Sequence, residues 1–178
     1  MITGDKVVLR ARIEEDAEIL IAELHSDVSM RSRADSRPWR PVASDSGISP
    51  FQRIDQSENA DYFSVVARDS GELAGEAILW GVDSHNRVAH IGVSLRPSFR
   101  GRGLGTDVVQ TLCHYGFTIR GMNRLQIETL ADNAAMTRAA SRIGFVTEGV
   151  LRRTAWVEGE FADQVVMGLL ASEWTHNH

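Results

Sequence analysis

The residues able to do chemistry gather between positions 90 and 105. His90 lies in "VAHIGVSL", and "RGRGLG" follows at Arg100 to Gly105. Three glycines and two arginines in six residues suit an anion. Glycines let successive backbone N–H groups converge on a phosphate. A helix starting behind them adds partial positive charge. Arg100 and Arg102 can add charge-assisted hydrogen bonds. From six residues alone, a tight glycine turn with two solvated arginines reads the same way.

Two familiar phosphate loops are excluded. A P-loop needs a Lys-Ser or Lys-Thr pair after its glycines, and none follows here. A dinucleotide fingerprint needs G-x-G-x-x-G, whereas these glycines stand at 101, 103 and 105. What is left is a strand, then Arg-x-x-Gly-x-Gly, then a helix.

The bulk properties narrow the partners. At 178 residues and 43% hydrophobic, the chain suits one domain over residues 1–178. A net charge of −5 gives no global basic field, so neither nucleic acid nor an anionic membrane is expected as a partner. With Cys113 as the single cysteine, no intrachain disulfide can form, which fits a reducing compartment. The N-terminal stretch lacks an apolar signal core, and no run approaches the roughly 20 apolar residues of a spanning helix. The expected location is the cytoplasm.

The elements that must position the candidate residues can be read from periodicity. Lys6 to Arg10 reads as a short strand. Ile13, Ala17, Leu20, Ile21 and Leu24 share one helical face. Ser26 to Ser49 has no clear period and reads as loop with room for one short helix. Ser49-Pro50-Phe51-Gln52 has the form of a helix start. Tyr62–Ala67, Leu73–Trp80 and Val88–Leu95 are strand-length and separated by turn residues, as in an antiparallel meander. Behind the glycines, Leu104, Val108 and Leu112 form one helical stripe; Val109, Cys113 and Phe117 form its neighbour. Arg124–Leu130 is a strand, Asn133–Ile143 a helix closed by Gly144, and two strands follow around "VEGE". The class is α+β.

Two blocks, "VSLRPSFRGRGLGTDVVQTLCHYGF" and "LQIETLADNAAMTRAASRIGFVTEGVLRR", resemble the GNAT family of N-acetyltransferases, and within it the RimJ/RimL-like branch. The likeness runs from "VVLRARIEEDAEIL" to "FADQVVMGLLASEW". The family pattern falls on Arg100, Gly103 and Gly105; its second block falls on Asn133, Gly144 and Phe145. The resemblance implies a mostly antiparallel mixed sheet of about seven strands flanked by helices. It implies acetyl-CoA as co-substrate, held in a cleft where two strands splay, and no metal. The pyrophosphate would lie on Arg100, Gly101, Arg102, Gly103, Leu104 and Gly105. Free backbone groups of Val93 to Leu95 would pair with the pantetheine arm, and Asn133 would hydrogen-bond the same arm. A homodimer is left open.

Acyl transfer needs a neutral amine, a polarised carbonyl and a stabilised leaving thiolate. Related enzymes often carry a Glu where this chain has His90, whose ordinary pKa suits proton transfer near neutrality. Glu76 is the second candidate base and Glu128 a third. A histidine packed on a sheet face, or a Glu turned to solvent, would look the same in sequence. Two usual acids are absent: the family's Tyr position holds Ala140, and the Ser of some branch members is replaced by Met136. Trp39, Arg40, Trp156 and Asp163 are candidates for the acceptor side. The acceptor is a primary amine, on a peptide N-terminus or a small molecule. A non-catalytic acyl-CoA-binding module is the alternative that the missing Tyr and Ser keep open.

Overall fold

Alternation along Leu73–Asp83 and Val88–Leu95 decides which side of each strand enters the core. In the computed structural model Ala77, Leu79, Ala89 and Ile91 are buried. Glu76, Ile78, Trp80 and His90 alternate with them and line the other face. The structure describes residues 1–35, 37–41, 51 and 58–175.

The sheet contains β1 (Ile2–Thr3), β2 (Val7–Arg10), β3 (Ala60–Ala67), β4 (Leu73–Asp83), β5 (Val88–Leu95), β6 (Arg124–Leu130), β7 (Val146–Val157) and β8 (Glu160–Leu170). Their spatial order is β1-β2-β3-β4-β5-β6-β8-β7. Every neighbouring pair is antiparallel except β5 and β6. The sequence pointed to about seven strands. The eighth is β1, which pairs with β2 through only Ile2↔Leu9 and Thr3↔Val8. Two residues are too few to show a period of two.

Helix α1 (Glu14–Leu20) continues into a π-helical turn, Ile21–His25. The aperiodic stretch carries α2 (Val28–Ala34), whose cap Asp27 accepts the Met30 N–H at 3.0 Å. The helix start expected at Ser49 to Gln52 lies outside the described residues except for Phe51, which is buried. Helix α3 (Leu104–His114) and a π-helical turn, Tyr115–Ile119, follow the glycines. Helix α4 (Ala134–Ile143) is capped by Asn133 and closed by Gly144, as the sequence indicated.

The two α3 stripes do pack. Leu104, Val108, Leu112, Val109, Cys113 and Phe117 are all buried against the sheet, with Ala140 of α4 in the same core. Each fully buried Val or Leu here contributes about 1.5–3 kcal/mol. Helix α1 lies on the opposite face, where Asp16 accepts the Ser64 hydroxyl of β3 at 2.6 Å. Among the described residues no helix is long and apolar enough to cross a membrane.

The sheet splits at one place. β5 and β6 pair only through Val88↔Arg124, Ala89↔Leu125 and His90↔Gln126. Beyond that rung β5 stays on β4 as far as Gly75↔Leu95, and β6 stays on β8 as far as Leu130↔Gln164. The facing edges of Ile91–Leu95 and Ile127–Leu130 therefore part company, and a V-shaped opening runs toward the glycines.

Candidate active site

The opening leads straight into the glycine turn. After Leu95 the chain makes a 3₁₀ turn, Pro97–Phe99, and reaches Gly103 at the N-cap of α3. Gly101 and Gly103 have φ of 75° and 80°, the left-handed region that costs other residues roughly 1–2 kcal/mol. Among the described residues, the N–H groups of Gly101, Arg102, Gly103, Leu104 and Gly105 have no backbone acceptor. The first turn of any helix leaves such donors unpaired. This is an anion cradle in geometry.

Its cations are arranged differently from the sequence reading. Arg102 lies over the Phe99 ring, 5.1 Å from its centroid. Arg100 points back: its Nε donates to Leu95 O at 2.9 Å, and its Nη2 reaches Met30 Sδ at 2.8 Å. Arg100 thus braces the end of β5, and its N–H joins the 3₁₀ turn through Pro97 O. A cation that the sequence did not flag stands in its place. Lys6 Nζ donates to Arg102 O at 3.3 Å and lies 3.0 Å from where a Gly103 Cβ would be. Asp107 fixes this arrangement by accepting the N–H groups of Asp5 (3.1 Å), Lys6 (2.8 Å) and Val7 (2.9 Å).

Val93 and Leu95 keep their ladder with β4 on one side and show an unpaired edge on the other. Asn133 caps α4 by accepting Met136 N–H at 3.2 Å and donates from Nδ2 to Thr129 Oγ1 at 2.8 Å. Both side-chain groups of Asn133 are engaged, though Oδ1 retains a second lone pair. Ala140 is fully buried and Met136 packs on the core.

His90 sits on the last rung before the split. The Trp80 ring lies against it, centroids 4.4 Å apart, and Glu128 Oε1 is 3.8 Å from Nδ1. Nδ1 is buried and has no hydrogen-bond partner among the described residues. Burial holds the imidazole below its ordinary pKa; Glu128 opposes that shift and Arg124 adds to it. Burial therefore favours the neutral ring, the form a proton acceptor needs.

Glu76 is elsewhere on the same face. It pairs with Ser94, four residues along from the Trp80↔His90 rung, roughly 13 Å at a strand's rise. Arg12 Nη2 donates to Glu76 Oε2 at 2.8 Å. Burial pushes the Glu76 carboxyl above its ordinary pKa against the pull of Arg12. Arg12 and Arg31, both buried, stand over the Phe51 ring at 5.6 Å each.

The acceptor candidates fall into two groups. Trp39 Nε1 donates to His25 O at 2.8 Å, and the Arg40 carbonyl meets His25 Nε2 at 3.0 Å. Trp156 stacks edge-on with Phe161, and Asp163 accepts the Arg153 N–H at 2.8 Å. Among the described residues no hydrogen bond or ring contact joins the groups. Sequence reading missed Lys6, Arg12 and Asp107. Only Asp107 left a trace, as an acid in the first turn of a helix, and its partners about a hundred residues away leave none.

The comparisons with known proteins agree on the family. Residues 6–146 match the family model described as "Acetyltransferase (GNAT) domain". The uncharacterized N-acetyltransferase p20 of Bacillus licheniformis is 26% identical over 171 residues, 96% of each chain. The [ribosomal protein uS5]-alanine N-acetyltransferase of Escherichia coli is 23% identical, over 98% of this chain and 92% of that one. Among solved structures, spermidine N-acetyltransferase from Vibrio cholerae in complex with CoA and spermine superposes with a TM-score of 0.80 at 20% identity, covering 96% of this chain and 98% of that one. GNAT acetyltransferases use acetyl-CoA. With its split mixed sheet and glycine turn, this chain belongs to the GNAT acetyltransferase family.

Proposed function

We propose that the chain moves an acetyl group from acetyl-CoA directly to a primary amine, as a RimJ/RimL-like enzyme. The observation that carries this reading is the continuity of the β5 edge with the unpaired N–H groups at 101–105. The opening offers a peptide-like arm a strand edge, and the turn offers a pyrophosphate five donors with Arg102 and Lys6 nearby. Asn133 contacts the arm with its remaining acceptor capacity. Bound acetyl-CoA supplies the activated acetyl thioester at the crotch of the split.

His90 acts as the base. The neutral imidazole keeps one ring nitrogen with a free lone pair, which is the proton acceptor. The amine nitrogen bonds to the acetyl carbon, the C–S bond breaks, and the electron pair leaves on sulfur. The amine proton passes to the imidazole, directly or through water, and then to solvent. Glu76, tied to Arg12, is the second candidate. A relative acetylates a ribosomal protein alanine and others act on spermidine, so both amine classes are acceptors to test.

A non-catalytic acyl-CoA-binding module is the second reading, favoured by the buried Ala140 where the family places a hydroxyl. Free CoA release with an alanine-initiated peptide and with spermidine decides between them. Turnover with either supports the enzyme; acetyl-CoA binding without turnover supports the module.

A further inference from the structure

Lys6 is the only lysine of the chain; the rest of its 19 basic positions are arginine. A guanidinium stays protonated and does not acylate, whereas a lysine amine does. Side-chain acylation of a basic residue therefore has one address in this protein.

That address is held rigidly against the glycine turn. Asp107 of α3 binds the backbone from one side through the N–H groups of Asp5, Lys6 and Val7. Arg68 holds it from the other. Its Nη1 donates to Gly4 O and Asp5 O at 2.9 Å each, and its backbone N–H donates to Lys6 O at 2.9 Å. A Cβ on Gly4 would overlap the side chains of Thr111 and Asp107, so the β1–β2 turn lies directly on α3. From this base the exposed Lys6 side chain reaches Gly103, with Nζ 3.0 Å from where a Cβ would be. Among the described residues no carboxylate pairs with it, and the Arg102 carbonyl is its one acceptor. An ammonium beside the positive end of a helix favours an anion between the two.

We propose that Lys6 is a modification site: acylation of Nζ by an acyl thioester removes this charge and closes the glycine turn to the cofactor. The proposal rests on the acetyl-CoA reading above. The neutral amine attacks the thioester carbon, the N–C bond forms and the C–S bond breaks. The electron pair leaves on sulfur and the amine proton goes to solvent. The amide has no charge, and its acyl group fills the space over Gly103. The donor is a free thioester. The end of β5 lies five residues, roughly 16 Å, from the His90 rung, so a thioester seated at the crotch is out of reach of Lys6. A seated cofactor shields Lys6 instead. Excess acyl thioester thus switches off the empty protein and spares the loaded one.

Protection labelling tests this. The wild type is incubated with the acetyl thioester of N-acetylcysteamine, which carries no phosphate, with and without CoA, and peptide mass mapping reads Lys6. CoA is then titrated calorimetrically into the unmodified and acetylated proteins and into Lys6→Gln and Lys6→Arg. Lys6 should acetylate in the free protein, and CoA at ten times its Kd should slow this about 10-fold. CoA affinity should fall about 10-fold or more on acetylation and in Lys6→Gln, through loss of one charge-assisted contact. Lys6→Arg keeps the charge without an acylable amine and should recover most of that affinity. No acetylation at Lys6, equal labelling with and without CoA, or unchanged CoA affinity after acetylation each overturns the proposal. If the unmodified wild type does not bind CoA, the acetyl-CoA reading itself fails, an outcome distinct from a CoA-binding protein whose Lys6 labels unhindered.

Discussion

Arg12 reaches Glu76 at 2.8 Å from a position that is itself buried, so each charge is the other's main compensation. Removing one partner of such a pair strands the other, at about 3–5 kcal/mol. Arg12→Met should destabilise the protein by that order in chemical denaturation and push the Glu76 carboxyl further up. Glu76→Gln strands a cation that also rests on Phe51 and hydrogen-bonds its carbonyl, and should cost less. Equal, small effects from both changes would show that the pair contributes nothing to the fold.

The same pair bears on the choice of base. Glu76 has a folded-state pKa above its ordinary value. Its contribution to stability is therefore present at low pH and fades as pH rises through the folded-state pKa. Glu76→Gln should weaken that acid-side contribution while leaving turnover near normal. A dead but folded Glu76→Gln with active His90→Gln would move the base to Glu76.

His90→Gln keeps size and one hydrogen-bonding end but removes the basic nitrogen. kcat/KM at neutral pH should fall about 100-fold, the lower end for general base catalysis. Because burial lowers the His90 pKa, the wild-type profile should lose activity only below the ordinary histidine range. The deficit should shrink at high pH, where more amine is already neutral. Full activity with an unchanged profile would remove His90 from the mechanism.

Asp107 ties the β1–β2 turn to the first turn of α3 through three N–H groups. Asp107→Asn should cost about 2–3 kcal/mol, since hydrogen bonds to a charged acceptor are among the stronger ones. It should also weaken acetyl-CoA binding by letting Lys6 leave Gly103. Normal affinity in a destabilised variant would separate Asp107 from the site.

Cys113 is fully buried, and burial drives its thiol far above the usual range, so no thiolate forms near neutrality. Cys113→Ala should lose some stability and keep its transfer rate. Acetylated Cys113 in mass spectrometry would point to a covalent route instead.

The legible part of this protein was local. The turn at 100–105, the α3 stripes and the Asn133 and Gly144 caps follow from spacing and backbone preference, and each stands where the sequence put it. The direction of Arg100 was not legible. Whether its guanidinium meets a ligand or Leu95 O depends on where β5 ends, which no six-residue window contains. Arg12 and Glu76 are 64 positions apart, and Lys6 and Arg102 are 96 apart. Such meetings are set by strand order, and strand order is decided by the whole core.

What the glycine turn holds decides whether this chain transfers acetyl groups. Isothermal titration of acetyl-CoA into the wild type and into Gly103→Glu measures this directly. The substitution places a carboxylate where a pyrophosphate would approach and puts a side chain at a φ of 80°. The wild type should bind one acetyl-CoA per chain, and the variant should lose that binding while its far-UV circular dichroism stays nearly unchanged. Equal affinity in both proteins, or no binding by the wild type, would contradict the account.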